Sequence, residues 1–267
     1  MRKRRLELFH EWGSIQSFKV RLCLAELGLS WVSRRIDLSR FENLDAGYLA
    51  IHPQGLVPAL RIDGEIVTES SQINERLDAF AAGALLPDDA AVRRRVRDWT
   101  NFEDTVVHPA VRPPTFNLIL KPRLRQLSPG EVTAAMDRHP VAARADAYRQ
   151  AVAAPIDGAT VFASIAVFRS VLARMENHLL HAPWLAGDHF TLADVAMAAF
   201  VDRLDRLAME ALIAPFPRVA DWADRVRQRP SFTAAKGPQA ERPDPLVNRD
   251  LVDSLMAAAD AHPQNHP

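Results

Sequence analysis

The chain has 267 residues, a length that suits two compact domains, or one large one, better than many small ones. Lys and Arg total 33 and Asp and Glu total 33, so the formal net charge is zero, without the basic excess that coating nucleic acid or an anionic membrane requires. Hydrophobic residues at 48% argue against bulk disorder, and the one cysteine, Cys23, excludes an internal disulfide framework and a cysteine-cluster zinc site.

The basic run from Met1 to Arg5 leads into Leu6-Glu7-Leu8-Phe9, too short an apolar core for a secretory signal. The longest unbroken apolar stretch, Val195 to Val201, is too short to span a bilayer. A soluble, cytoplasmic protein is expected. Leu6 to His10 reads as a short strand ending in the loop Glu11-Trp12-Gly13-Ser14. Phe18, Leu22, Ala25 and Leu27 then recur at helical spacing, with a stop at Gly28. Trp31 to Asp37 alternates as a second strand. Leu56 to Ile62 and Glu65 to Thr68 are apolar-rich runs joined by Asp63-Gly64, a type I′ hairpin signal. Ser70 to Phe80 closes the region as a helix with Ile73, Leu77 and Phe80 on one face. The order β-α-β, irregular link, β-β-α predicts a mixed sheet: a parallel crossover pair and an antiparallel hairpin, with helices packed on it.

Gly83 to Asp88 reads as a linker, and no strand is predicted beyond it. Helices are predicted over 90–107, 161–180, 192–207 and 217–229. The proline-rich stretch 112–155 reads as an insertion of short helices and loops. Residues after Gly237, with Leu246, Leu251 and Leu255, read as a tail holding one short helix. Thr191-Leu192-Ala193-Asp194 is a capping box, and Phe190 with Val195 can form a hydrophobic staple around it, so a buried helix is expected to begin there.

Three short motifs carry chemistry. Val57-Pro58 stands at the hairpin entry in Pro53-Gln54-Gly55-Leu56-Val57-Pro58-Ala59-Leu60, where a proline belongs because it cannot donate to a sheet ladder. A cis bond there would offer the Val57 backbone to an extended peptide-like ligand, whereas a trans proline would only begin a strand. Glu69-Ser70 stands at a helix N-terminus, whose N–H groups and dipole hold a carboxylate. With Glu69 available to an amine, the pair suits a free amino acid head group; the plainer alternative is a serine cap. Ser14-Ile15-Gln16-Ser17 precedes the first helix. A hydroxyl there can donate to a thiolate and lower its pKa from about 8.5. A shift of about two units needs about 2.7 kcal/mol, within reach of one or two charged hydrogen bonds and a helix dipole. The alternative is Ser17 as an N-cap and Ser14 as a loop residue. Elsewhere, Cys23 reads as a small buried hydrophobe, and His178 and His181 have no clustered third ligand, so no metal is expected. Trp99, Phe102 and Phe116 suit either an apolar pocket or the core.

The order and spacing of these motifs resemble the cytosolic glutathione S-transferase family over residues 6 to about 236. Within that family, Asp37-Leu38-Ser39-Arg40-Phe41-Glu42, the His52 to Leu60 segment and Val67-Thr68-Glu69-Ser70 look closer to the bacterial β-etherases, glutathione-dependent enzymes that cleave β-aryl ether bonds of lignin fragments. The resemblance implies an α/β thioredoxin-like glutathione-binding domain over 1–86. It implies an all-helical domain with a C-terminal tail over 87–267 that shapes the site of a small hydrophobic electrophile. It further implies glutathione as co-substrate, no metal, a homodimer, and neither nucleic acid nor membrane as partner.

By position, Val57 beside cis-Pro58 would pair with the cysteinyl backbone of glutathione, while Glu69 and Ser70 would hold its γ-glutamyl head. Arg40, His52 and Gln54 are candidates for the glycine carboxylate; His52 stands where many relatives have asparagine. Compared with zeta- and tau-like transferases, Ser14 falls on the activating serine. Compared with β-etherases, Gln16-Ser17 falls on an Asn-Ser pair and a glycine replaces Ser14, which leaves Ser17 as the alternative. A zeta-class maleylacetoacetate isomerase is disfavoured, because its Ser-Ser-Cys run reads Ser14-Ile15-Gln16 here. The expected reaction is attack of the activated thiolate on an electrophilic carbon, displacing an aryloxide in a β-etherase. The alternatives are a general xenobiotic-conjugating or dehalogenating transferase, or a non-catalytic binding protein on the same fold.

Overall fold

The computed structural model describes residues 4–242, 245 and 247–261; Leu246 of the tail lies outside the described residues. In chain order the elements begin with β1 (Leu6–His10), α1 (Ile15–Glu26), β2 (Val32–Arg35), 3₁₀ turns over Leu38–Arg40 and Glu42–Leu44, and α2 (Ala46–Leu49). Then come β3 (Ala59–Ile62), β4 (Glu65–Val67) and α3 (Ser70–Asp78). The helices that follow are α4 (Ala90–Phe102), α5 (His108–Pro114), α6 (Lys121–Leu124), α7 (Pro129–Asp137), α8 (Ala142–Ala153) and α9 (Gly158–Leu179). The last are α10 (Leu192–Arg206), α11 (Pro217–Arg227), α12 (Pro230–Lys236) and α13 (Arg249–Ala261).

The chain forms two compact units, both discontinuous in sequence. The first comprises 1–84, 123–155 and 230–243; the second comprises 85–122, 156–229 and 244–267. The boundary expected at 86/87 lies beside the first crossing, but α7, α8 and α12 belong with the sheet rather than with the other helices. For α12 the reason is apolar burial: it packs on α1, with the Phe18 and Phe232 rings edge to face at 5.3 Å.

The sheet of the first unit runs β2-β1-β3-β4. β1 is parallel to β2, pairing Glu7 with Val32, and antiparallel to β3, pairing Leu8 with Leu60. β3 and β4 form the predicted hairpin, whose turn residues Asp63 and Gly64 both have positive φ, 51° and 106°, as a type I′ turn requires. β3 starts at Ala59 rather than Leu56, because Pro58 has no N–H to give to a ladder. β1 is central and buried throughout. Leu8, Leu60, Phe18, Leu22, Ile73 and Leu77 are fully enclosed in the layer formed with α1 and α3, each contributing about 1.5–3 kcal/mol. The opposite face of the sheet carries Phe9, Tyr48 and Ala59, packed with Ile36, Ile51, Val57 and Ile66. Glu7 is buried beneath arginines, and its bonds to Arg34 (3.1 Å), Arg61 (2.8 Å) and Arg5 (2.7 Å) hold its carboxyl down at about 2 against the cost of burial.

The second unit is helical, and no strand occurs in it among the described residues. The segment expected to break into short pieces after 112 instead continues as helix to Leu124, through π-helical turns at Glu103–Val107 and Thr115–Leu120. Pro109 and Pro122 follow these turns, and the carbonyls four residues back, of Thr105 and Leu118, lie within them. A proline ring clashes with the carbonyl four residues back, and a widened turn relieves that clash without ending the helix. The released carbonyl of Pro113 accepts from Asn117 Nδ2 at 3.0 Å. α9 is long and apolar enough to cross a bilayer by length and composition, yet its Val161, Ile165, Phe168, Val171, Leu172 and Met175 are fully buried in the unit. α10 contains the apolar stretch Val195 to Val201, buried throughout. The tail helix α13 is longer than its reading suggested and packs on α9 through buried Val252, Leu255 and Ala259.

α10 starts at the predicted capping box. Thr191 Oγ accepts from Ala193 N at 3.3 Å, and Asp194 Oδ2 accepts from Thr191 N at 2.9 Å. Asp194 is fully buried and does more than cap: Oδ1 also accepts from Leu185 N at 3.0 Å and from the Trp222 indole at 2.9 Å. Burial pushes its carboxyl pKa up, and these donors oppose that push.

Candidate active site

The chemistry-bearing motifs meet inside the first unit, where the N-termini of α1 and α3 adjoin. Ser70, the first residue of α3, donates its hydroxyl to Gln16 Oε1 of α1 at 2.6 Å, and both residues are buried. Neither helix has an acidic residue in its first turn; α1 is capped by the neutral Ser14, so its positive dipole end is uncompensated by its own cap, whereas the N-cap of α3 is Glu69, whose side chain makes no capping bond. Such a place holds negative charge well.

Ser14 is the N-cap of α1. Its Oγ accepts from Ser17 N at 3.2 Å, a bond that uses a lone pair and not the hydroxyl proton. Ser14 is half-buried, whereas Ser17 is completely enclosed and accepts from Glu11 N at 3.4 Å. Of the two serines, only Ser14 has any exposed surface on which a thiol could rest.

Glu69 is exposed and has φ 63° with ψ 111°, a conformation that strains any side-chain-bearing residue by about 1–3 kcal/mol. It precedes Ser70 at the mouth of α3. The Val57–Pro58 bond is cis; Val57 is half-buried and Pro58 buried. Two side chains that the sequence reading did not single out fix the loop before it. Asn43 Nδ2 donates to Gly55 O at 2.9 Å, and Tyr48 Oη donates to Leu56 O at 2.6 Å. Gly55, with φ 63°, has no room for a side chain, since a Cβ would lie 2.8 Å from Asn43 O. No spacing rule links Asn43 and Tyr48 to a proline loop a dozen residues on; their roles exist only in the folded chain.

Of the residues considered for a carboxylate, Arg40 ends an exposed 3₁₀ turn and Gln54 is exposed. His52 is buried, and its Nδ1 has no hydrogen-bond partner among the described residues. Burial lowers the His52 pKa, partly offset by the Glu69 carboxylate.

The loop Glu11 to Ser14 is held from beneath by buried Arg21, which donates to Glu11 O at 3.1 Å, Trp12 O at 3.0 Å and Ala235 O at 2.8 Å. Beside it His10 is wholly buried, edge-on to the rings of Trp12 and Trp31. Arg21 Nη1 lies 3.3 Å from His10 Nδ1, so that nitrogen accepts and Nε2 donates to Ser33 Oγ at 2.8 Å. Burial, reinforced by Arg21 and Arg35, drives the His10 pKa down to about 3. The unfolded chain therefore binds a proton near pH 6.5 that the native state refuses, and stability is lost as pH falls from 6.5. Between pH 6.5 and 4.5 the expected loss is about 2–3 kcal/mol. Denaturant melts should show it, and His10→Gln should flatten the curve over that window; an equally steep curve in the variant would reassign the effect.

Cys23 is fully enclosed, and burial drives its thiol well above the ordinary value. Trp99 is core: it is buried and meets Phe102 and His178 edge to face, with the Arg174 guanidinium 4.8 Å from its ring centre. Phe116 is half-buried, 5.8 Å from Lys121 Nζ.

Residues 13–79 match the family model of the glutathione S-transferase N-terminal domain, and residues 140–225 match that of the C-terminal domain. The chain is 26% identical to the tetrachloro-p-hydroquinone reductive dehalogenase of Sphingobium chlorophenolicum, over 86% of this chain and 95% of that protein. It is 29% identical to a maleylacetoacetate isomerase of Pseudomonas aeruginosa, over 90% and 98% of the two chains. Protein LigF of a Sphingobium species is 28% identical over 85% of this chain and 91% of its own. The crystal structure of that β-etherase superposes with a TM-score of 0.79 at 25% identity, covering 86% of this chain and 98% of that one. With a mixed four-stranded sheet, a cis-proline loop and two helix N-termini in one unit, and both family models matched, this chain belongs to the glutathione S-transferase family.

Proposed function

We propose that this glutathione transferase holds glutathione as its thiolate against Ser14 and directs the sulfur at a carbon bearing an aryloxy group. The observation that carries the proposal is the half-exposed Ser14 hydroxyl at the uncompensated N-terminus of α1, its proton not used by the capping bond. Ser14 donates to the thiolate, the α1 dipole adds to it, and the Val57 backbone pairs with the cysteinyl unit beside cis-Pro58. The γ-glutamyl carboxylate takes the backbone N–H groups at the start of α3, and Glu69 pairs with the ammonium. Gln16 holds the Ser70 hydroxyl in place. For the glycine carboxylate His52 is preferred to Arg40 and Gln54, because its buried Nδ1 lacks a partner among the described residues. The thiolate attacks the ether-bearing carbon, a C–S bond forms as the C–O bond breaks, and the phenolate leaves. Its conjugate acid has a pKa near 10, so departure needs little help from an acid, and water later supplies the proton.

Similarity to a reductive dehalogenase favours a second reading, displacement of halide. Reductive removal, which leaves hydrogen in place of the halogen, would need a second thiol to reduce the thioether. The one cysteine of this chain is buried beyond reach, so the protein itself supplies none. The proposal includes a cytosolic homodimer acting on a small hydrophobic electrophile, with the helices of the second unit over 85–122 and 156–229 assigned to that electrophile.

A β-aryl ether of a fluorescent phenol, offered with glutathione, separates the readings. Phenol released in equal amount to a glutathione thioether is expected. Turnover of chlorinated hydroquinones without phenol release would support dehalogenation, and no turnover of either class would overturn the proposal. Tyr48→Phe, which removes the bond to Leu56 O, is expected to cost about 1 kcal/mol of stability and to raise KM for glutathione several-fold with kcat little changed. Steady-state kinetics at varied glutathione checks this.

A further inference from the structure

The segment that follows α12 returns to the loop bearing Ser14. Gly237, at φ 73°, lies so close to Trp12 that a Cβ there would sit 2.1 Å from the indole ring. The Trp12 indole N–H donates to Glu241 Oε2 at 2.7 Å, and Arg242 Nε donates to Trp12 O at 3.1 Å. That carbonyl thus receives two guanidinium donors, from Arg21 at 3.0 Å and from Arg242. The Arg21 guanidinium also lies 4.6 Å from the Trp12 ring centre, and Arg242 is buried. One residue further on, Gly13 N donates to Glu11 Oε1 at 3.4 Å and Ser14 N to Glu11 O at 3.1 Å. Residues more than 220 positions apart in sequence therefore lock the peptide that carries the candidate nucleophile-activating hydroxyl.

We propose that Glu241, acting through the Trp12 indole and supported by Arg242, is a positioning residue that fixes the Ser14 hydroxyl in line with the thiolate; this rests on the Ser14 reading above. The loop is already held by the three carbonyl contacts of Arg21. A second guanidinium and a carboxylate on the same residue are explained by the need to hold Ser14 within a few tenths of an ångström, the tolerance of a hydroxyl–thiolate bond.

The charges around the loop are Glu11, Arg21, Arg35, Asp37, Glu241 and Arg242, with His10 neutral. They give the test a sign. Removing the negative charge of Glu241 would, through space alone, favour the thiolate and lower its pKa; loss of positioning raises it. The experiment titrates glutathione bound to the full chain by thiolate absorbance in the wild type, Glu241→Ala, Glu241→Gln, Trp12→Phe, Ser14→Ala and the double variant Ser14→Ala/Glu241→Ala. Glu241→Ala and Trp12→Phe are expected to raise the bound thiol pKa by about 0.5 unit or more, lowering kcat/KM near neutral pH about threefold or more, with KM for glutathione changed less than about twofold. Glu241→Gln, which keeps an acceptor for the indole but removes the charge, is expected to bring the pKa back to the wild-type value or slightly below it. In the Ser14→Ala background Glu241→Ala is expected to add no further rise, as residues acting through one another do. A lowered Tm with an unmoved thiol pKa in Trp12→Phe and Glu241→Ala would overturn the proposal and leave the Ser14 reading standing. A wild-type bound thiol that titrates like free glutathione would overturn both.

Discussion

Ser14→Ala is expected to lower kcat/KM about 10- to 100-fold and to raise the pKa of bound glutathione by about 1–2 units. A hydrogen bond to a charged acceptor is worth about 1.5–3 kcal/mol, and nothing in alanine replaces it. The same change removes the N-cap of α1, whose Oγ accepts from Ser17 N, so stability should fall by about 1 kcal/mol, or about 2–4 °C in Tm. The two effects separate. Ser14→Gly keeps most of the helix start, since glycine is tolerated at an N-cap, yet should lose the same activity. Ser14→Thr keeps both hydroxyl and cap and should recover a measurable share. Ser17→Ala should behave differently: its hydroxyl is enclosed and accepts a weak bond from Glu11 N, so packing will suffer while the thiol pKa of bound glutathione stays put. Retained turnover in Ser14→Ala with loss in Ser17→Ala would transfer the role to Ser17.

The largest stability effect is expected from Asp194→Ala. Its carboxylate accepts from Thr191 N, Leu185 N and the Trp222 indole in a fully buried setting. Each buried donor left without a partner costs about 1–3 kcal/mol, and the lost cap adds to that. A loss of about 3–5 kcal/mol follows, enough to lower Tm by about 10 °C or more. Asp194→Asn should fall between, because its amide keeps one acceptor oxygen and adds a donor where none is wanted. Thermal and urea melts check this; a loss under about 1 kcal/mol would mean that water replaces the carboxylate and that α10 begins without it.

The elements were legible where local physics decides them. β1, the Asp63-Gly64 turn and the α10 cap follow from alternation, paired positive φ values and a hydroxyl–carboxylate pair three residues apart. These need no distant partner. In the stretch 112–155 the short helices α7 and α8 with their loops are as read, but up to Leu124 the prolines misled as breaks, where a π-helical turn lets the helix continue. The two compact units are discontinuous, with α7, α8 and α12 grouped with the sheet, and which surface an amphipathic helix covers is not written in its own period. In the site, the spacing of Ser14, Pro58 and Glu69-Ser70 carried the reading. The sequence left Ser14 and Ser17 equal; they differ in burial, Ser17 being enclosed and Ser14 half-buried, and the proposal for Ser14 rests on that difference. Asn43, Tyr48, Trp12, Arg21, Glu241 and Arg242 escaped notice because each acts on a backbone carbonyl or indole brought near only by folding.

The measurement that bears most directly on thiolate activation is a pH titration of glutathione bound to the wild-type protein, followed by thiolate absorbance in the ultraviolet. An apparent pKa about 1.5–2 units below the ordinary thiol value of about 8.5, and a return toward that value in Ser14→Ala, is the expected result. A bound thiol that titrates at the ordinary value in both proteins would contradict activation by Ser14 and leave the fold as a glutathione-binding scaffold without this chemistry.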